Sequence, residues 1–287
     1  MKRCLRCERR FDLPGWRCPA CGFAPGTILG LPAFAVGLAA GDIGYDAWRF
    51  ELLDGLENEH FWFRSRSRLI VWALRRHFPR AQSLLEIGCG TGSVLASIAE
   101  AAAVPRLAGS EAHAAALAFA ARRAAGAELL QMDARRIPYR EEFDVVGAFD
   151  VIEHIEDDAQ VLREMFATCR RGGGVMVSVP QHPWLWSGRD VAARHRRRYT
   201  RSELLGKLAA AGFARPWTTS FVTLLLPLLY ASRRARPGAA APASAELQVA
   251  PALNAVLGAI LDVERALIRL GVRWPMGGSL LAVAHKP

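Results

Sequence analysis

From residue 83 onward, short apolar runs alternate with longer stretches of helical periodicity. Residues 83–87 read as a buried strand, and residues 106–109, 128–132, 143–149 and 174–179 as four further strands. Residues 91–102, 112–125, 157–169 and 201–211 read as the helices between them, the last opened by Thr200 as its cap. Two more strands are expected at 213–221 and 280–285. This order predicts an α/β fold: a Rossmann-like, doubly wound, seven-stranded sheet. Ahead of it, residues 59–78 predict a long helix that mixes Phe61, Trp62 and Phe63 with Arg64, Arg66 and Arg68, and Pro79 ends it. Residues 222–278 form an α-helical insertion before the last strand, with two apolar helices around an Ala/Pro linker at 237–244. The expected organisation is a cysteine-rich module at 1–25, a linker and helix at 26–58, and one domain at 59–287.

The 287 residues, 52% hydrophobic and 22% charged, describe a globular chain. The net charge of +10 suits either a generally basic surface or an anionic partner. Residues 28–40 and 221–230 are apolar, but both are too short to span a bilayer. No secretory signal is expected, because the Cys-rich, Arg-rich start has no apolar run of the needed kind. The expected localisation is cytoplasmic, with contact at the periphery of the inner membrane as a further option.

Four of the six cysteines form C-x2-C-x10-C-x2-C: Cys4, Cys7, Cys18 and Cys21. Each two-residue spacer lets a pair of thiolates face one metal, and Gly22 permits the tight turn. Two such knuckles supply a tetrahedral site for structural Zn2+. So short a module has no core of its own, so the metal would hold it together. Its role stays open between structure and gripping a partner through Arg3, Arg6, Arg9, Arg10 and Trp16.

The candidate chemistry falls at successive strand ends, where open α/β sheets bind ligands. After the first strand comes Glu86-Ile-Gly88-Cys89-Gly90-Thr-Gly92. Its third glycine arrives one residue earlier than in the dinucleotide fingerprint, and its acid suits a cationic ligand better than a pyrophosphate. Glu111 follows the second strand and can accept from two ribose hydroxyls. Asp133, beside Met132 and Ala134, follows the third and can meet an adenine amino group. Asp150 follows the fourth.

Those residues, with Phe143–Asp–Val–Val–Gly–Ala–Phe–Asp–Val–Ile–Glu–His154, Arg171–Gly–Gly–Gly174 and Ala211–Gly–Phe213, resemble the class I S-adenosylmethionine-dependent methyltransferases. The likeness is to the bacterial branch similar to the ubiquinone-biosynthesis O-methyltransferases, and it covers roughly half the chain. It implies that the last strand is antiparallel. It also implies cofactor contacts at Glu86, Gly88, Cys89, Gly90, Glu111, Asp133, Ala134 and Asp150. The cysteine module and residues 222–278 lie outside it.

Methyl transfer from a sulfonium is an in-line displacement, and a base is needed only when the acceptor is poorly ionised. Candidate catalytic residues are His154, His182 and His195, with Asp190 and Tyr199 nearby in sequence. Asp150-x-x-Glu153-His154 also resembles the Glu-x-x-Glu-His metal motif of small-RNA 2′-O-methyltransferases and some ubiquinone O-methyltransferases. That likeness implies Mg2+ or manganese there, with His182 or His195 as a further ligand. Trp184 and Trp186 either line an apolar acceptor pocket or pack under the insertion. Phe61, Trp62 and Arg64 are candidates for a lid over the cofactor.

The leading expectation is methylation of a small-molecule or lipid-linked acceptor on oxygen. RNA methylation is the alternative, since some rRNA guanine methyltransferases carry a four-Cys module. Nucleic acid is the lesser expectation as a partner, because Asp150-Val-Ile-Glu153 lacks the Pro-Pro turn usual in enzymes that methylate base amines. A non-catalytic cofactor-binding scaffold is the third option.

Overall fold

A computed structural model describes residues 1–39, 47–102, 104–234 and 249–287. In chain order the strands are β1 (Lys2–Arg3), β2 (Arg10–Phe11), β3 (Gly26–Ile28), β4 (Leu31–Ala33), β5 (Ser83–Ile87), β6 (Arg106–Glu111), β7 (Glu128–Gln131), β8 (Phe143–Phe149), β9 (Cys169–Pro180), β10 (Ala214–Phe221) and β11 (Ser279–His285). The helices are α1 (Ala47–Leu56), α2 (Phe61–His77), α3 (Ser93–Ala101), α4 (Ala114–Arg123), α5 (Asp158–Thr168), α6 (Gly188–Ala192), α7 (Arg201–Ala210), α8 (Leu226–Arg234) and α9 (Pro251–Arg269).

One sheet runs β10-β11-β9-β8-β5-β6-β7-β4-β3. Strands β5 to β9 pair in parallel, and β11 is antiparallel to both neighbours, as the resemblance implies. The order reverses between β5 and β8, so the loops after these two strands open side by side into one crevice. Apolar residues cover both sheet faces. Leu74, Leu95, Ile98, Leu117 and Leu261 pack from α2, α3, α4 and α9 on one side, and Val161, Leu162, Met165, Leu204 and Leu208 pack from α5 and α7 on the other. Each such buried side chain contributes about 2 kcal/mol.

The sheet has nine strands rather than seven, because the stretch read as a linker carries β3 and β4. Leu29 (φ 53°) and Gly30 (φ 76°) are both left-handed, which makes the two-residue turn of a tight hairpin. β4 meets β7 only at Ala33 opposite Gln131, so Pro32 removes no ladder bond from β7. The hairpin thereby covers the edge that β7 would otherwise expose.

The cysteine module is joined to the domain through the same edge region. Lys2 bridges to Tyr139, and Arg3 and Arg140 both pair with Glu164, at 2.9 and 2.8 Å. Trp16 packs edge-on against Phe34 and Tyr139. Two of the residues expected to grip a partner, Arg3 and Trp16, are therefore used internally, while Arg6, Arg9 and Arg10 are exposed. The 237–244 linker lies outside the described residues. Among the described residues, no helix is long and apolar enough to cross a membrane.

Candidate cofactor and acceptor site

β5 sits in the middle of the sheet and carries Glu86 to its carboxyl end, opposite Gly109 of β6 and Gly147 of β8. Glu86 is 2% exposed, and its Oε2 has no hydrogen-bond partner. Burial raises its carboxyl to about 8, against a smaller lowering by the nearby Arg66 charge. Above it, Gly88 (φ 64°), Gly90 (φ 53°) and Gly92 (φ 83°) are all left-handed. A Cβ on Gly88 would lie 2.7 Å from Val151, and one on Gly92 2.9 Å from the Cα of Ala120. These two glycines let the loop press against the loop after β8 and against α4. Gly90 faces open space, with nothing within 4 Å of its would-be Cβ. Cys89 is buried, its thiol held well above its ordinary value by desolvation.

Glu111 is partly consumed by the backbone. Its Oε1 accepts from the amides of Ala112 (2.8 Å) and His113 (3.0 Å), and its Oε2 from Gly90 (3.1 Å). Three of its four or so acceptor sites are taken, so it fixes the glycine loop and keeps one site for a ligand. Asp133 pairs with Arg135 at 2.7 Å, and Ala134 packs beside it at the edge of the core. Asp150 is left-handed (φ 58°), a conformation Asp tolerates, and its carboxylate is paired with buried Arg66. The Arg66 guanidinium stacks on Trp62 at 4.7 Å. α2 thus closes over the crevice with Trp62 and Arg66, whereas Arg64 is exposed.

Three positioning residues were not evident in the sequence. Glu57, buried beyond α1, accepts from Thr91 of the glycine loop and pairs with Arg123 of α4. Gln131 bridges three segments: its Nε2 donates to Ala35 (2.7 Å) and Ala112 (2.9 Å), and its Oε1 accepts from Ala35. Arg66 is the third. Their partners are remote in sequence, so no local motif marks them.

A family profile described as a methyltransferase domain matches residues 57–215, more than half of the chain. This chain belongs to that family. A relative from Mycolicibacterium smegmatis, named "Probable S-adenosylmethionine-dependent methyltransferase", is 32% identical over 164 residues, covering 56% of this chain and 62% of the relative. A Mycobacterium tuberculosis protein of similar name is 33% identical, over 55% of this chain and 57% of its own length. The match therefore spans only about three-fifths of these relatives. The complex between the Haloferax volcanii Trm112 methyltransferase activator and a methyltransferase contains a similar fold, with a TM-score of 0.55, 17% identity, and coverage of 84% of this chain and 94% of that one.

In this methyltransferase domain, the three candidate histidines do not converge. Glu153, His154 and His195 offer ligand atoms within 4.8 Å of one another, and the His154 and His195 rings meet at 4.8 Å. His182 stands apart, left-handed at φ 64° and stacked on Trp184 at 5.1 Å. Asp150 is not in the group either, since it faces Arg66. Glu153 is fully buried with neither oxygen hydrogen-bonded, and burial, reinforced by Asp150, holds its carboxyl well above the ordinary range.

Asp190 lies 3.0 Å from His195 Nδ1 and also receives Arg198 (2.7 Å) and Arg233 (2.8 Å). Burial alone would raise Asp190, but the His195 hydrogen bond and the two arginines overcome it and hold the carboxyl well below its usual range. An ionised Asp190 only accepts, so His195 Nδ1 donates and Nε2 becomes the basic nitrogen. Tyr199 is no base: it is buried and donates to Asp158 at 2.6 Å. Trp184 meets Tyr230 of the insertion at 5.8 Å, yet it and Trp186 stay 51% and 42% exposed, so neither lines a closed pocket.

The four cysteines gather into one cluster in the N-terminal module. Cys4–Cys21 and Cys7–Cys18 Sγ atoms are each 3.6 Å apart, and all four lie within 4.8 Å. A zinc tetrathiolate has edges of about 3.8 Å, whereas a disulfide needs about 2.05 Å. The two knuckles turn alike: Glu8 (φ 61°) and Gly22 (φ 71°) donate to the carbonyls of Cys4 and Cys18.

Proposed function

We propose that this chain is an S-adenosylmethionine-dependent methyltransferase whose acceptor is a small molecule or lipid-linked compound methylated on oxygen. The observation that carries the reading is the buried, unpartnered Glu86 carboxyl beneath three left-handed glycines. That arrangement fits a ligand with a cationic end that needs close backbone approach. Glu86, Asp150 and Arg66 together complement the zwitterionic amino-acid end of the cofactor. Gly88, Cys89 and Gly90 would offer backbone, Glu111 its remaining acceptor site to the ribose, and Asp133 and Ala134 a wall for the adenine. When bound, S-adenosylmethionine supplies an activated methyl group. His195 takes the proton from the acceptor hydroxyl at Nε2, while Asp190 orients the ring. Trp62 and Arg66 exclude water.

A second reading is favoured by Glu153, whose two oxygens are buried beside two imidazoles. Glu153, His154 and His195 would hold a divalent ion and polarise an acceptor oxygen. Two nitrogen ligands suit zinc better than the Mg2+ or manganese implied at Asp150, Glu153 and His154. The four-Cys cluster is proposed to bind structural Zn2+.

The test is incubation with methyl-labelled S-adenosylmethionine and fractionated lysate, comparing the parent chain with His195→Gln, with and without chelator. Label is expected in the lipid or small-molecule fraction, lowered about 100-fold or more by His195→Gln and, at saturating S-adenosylmethionine, retained after chelation. Label confined to RNA would contradict the acceptor class, and a loss on chelation that saturating S-adenosylmethionine does not restore would favour the metal reading.

A further inference from the structure

We propose that α8 and the loop before α6 form a docking face for an anionic lipid bilayer. Leu228 and Ala231 of α8 lie three residues apart on one side of the helix, and both are exposed, as is Leu224 in the turn before it. Leu228 is 56% exposed and Tyr230 40% exposed. The Trp184 ring meets Tyr230 at 5.8 Å, which joins the loop and the helix into one surface, and Trp186, two residues further along the loop, is also exposed. A contiguous exposed patch of this kind marks an interaction site.

The face is a built element. Beneath it, Arg233 bonds Ser187 Oγ at 2.9 Å and Asp190 Oδ2 at 2.8 Å, and also reaches the Leu185 carbonyl. The same Asp190 holds His195, so the patch is anchored to the acceptor side of the crevice.

Charge selects the occupant. Neither 182–189 nor 222–234 contains an acidic residue. The exposed guanidinium of Arg234 lies over the Tyr230 ring at 5.2 Å, which places a cation at the rim of the apolar patch. Aromatic rings with apolar bodies and polar edges, rimmed by arginine, match the headgroup layer of an anionic membrane. A second copy of this chain is a poorer match, since two surfaces of the same cationic kind on molecules of charge +10 repel. Docking would turn the mouth of the crevice toward the lipid phase, from which a lipid-linked acceptor enters. That use rests on the proposed function, whereas the docking itself does not.

The experiment is co-sedimentation of the full chain with vesicles of phosphatidylcholine alone and of equal parts phosphatidylcholine and phosphatidylglycerol. Protein is expected to pellet with the mixed vesicles, not with the neutral ones, and to be released by high salt. Arg234→Gln should weaken the partition about fivefold, and Leu228→Glu should abolish it. Both positions are exposed, and both variants should bind S-adenosylmethionine as the parent does. Equal pelleting of Leu228→Glu and parent would overturn the proposal. So would absence of pelleting with either vesicle, or a dimer in analytical ultracentrifugation that Leu228→Glu dissolves. Cofactor titration of the same samples reads the methyltransferase claim separately.

Discussion

Glu86 and Gly88 set the terms of the cofactor crevice. Glu86 keeps its proton up to about pH 8 in the folded chain, whereas an exposed glutamate loses it near 4.5. Between those values the unfolded chain is ionised and the folded chain is not, so this group makes stability fall as pH rises toward 8. A cationic ligand reverses the preference and draws the proton off. Cofactor affinity measured by calorimetry should therefore rise with pH, by at most tenfold per unit, and level off above about 8. Glu86→Gln should bind more weakly and lose that slope. Gly88→Ala forces a Cβ against Val151 and strains a left-handed residue, at a cost of about 1–2 kcal/mol from the backbone alone. Cofactor binding should drop sharply. Gly88→Ala combined with Val151→Ala should recover part of it, because only the backbone cost remains. The places of Glu86, Gly88, Gly90, Glu111 and Asp150 at the carboxyl ends of strands were legible in the sequence, because apolar runs announce those strands. Arg66, Glu57 and Gln131 were not, because their roles depend on partners that only the tertiary fold brings near.

Helices and strands with strong periodicity were legible to within a few residues. β8 and the cap at Thr200 fall where the pattern puts them. The β3–β4 hairpin was not, because Pro32 and its flanking glycines read as a linker, and a three-residue strand has too few positions to alternate visibly. That hairpin gives the cysteine module a physical route to the site. It pairs with β7 at Gln131, and Gln131 holds Ala112 next to Glu111. Removing the proposed zinc from the module should loosen the hairpin and then the ribose side of the crevice. A strong chelator, or Cys18→Ser, is expected to lower Tm in scanning fluorimetry by on the order of 5 °C and to weaken cofactor binding several-fold. Unchanged affinity after verified metal loss would confine the module to a local structural role.

Across the whole molecule, the two packed faces of the sheet leave its carboxyl edge as the place for chemistry. α2 closes one side of that edge, the Asp190–His195 pair stands on the other, and the insertion with its exposed aromatic face lies beside it. The reversal of strand order between β5 and β8 puts Glu86 and Asp150 in the same opening. A cofactor with a positive end and an adenosine body is the ligand this arrangement is built to accept. The most direct measurement is an isothermal titration of the parent chain with S-adenosylmethionine at pH 8, alongside Glu86→Gln. Saturable one-to-one binding, weakened by Glu86→Gln, is the predicted result. Absence of binding by a folded, metal-loaded parent chain, or equal binding by the variant, would contradict it.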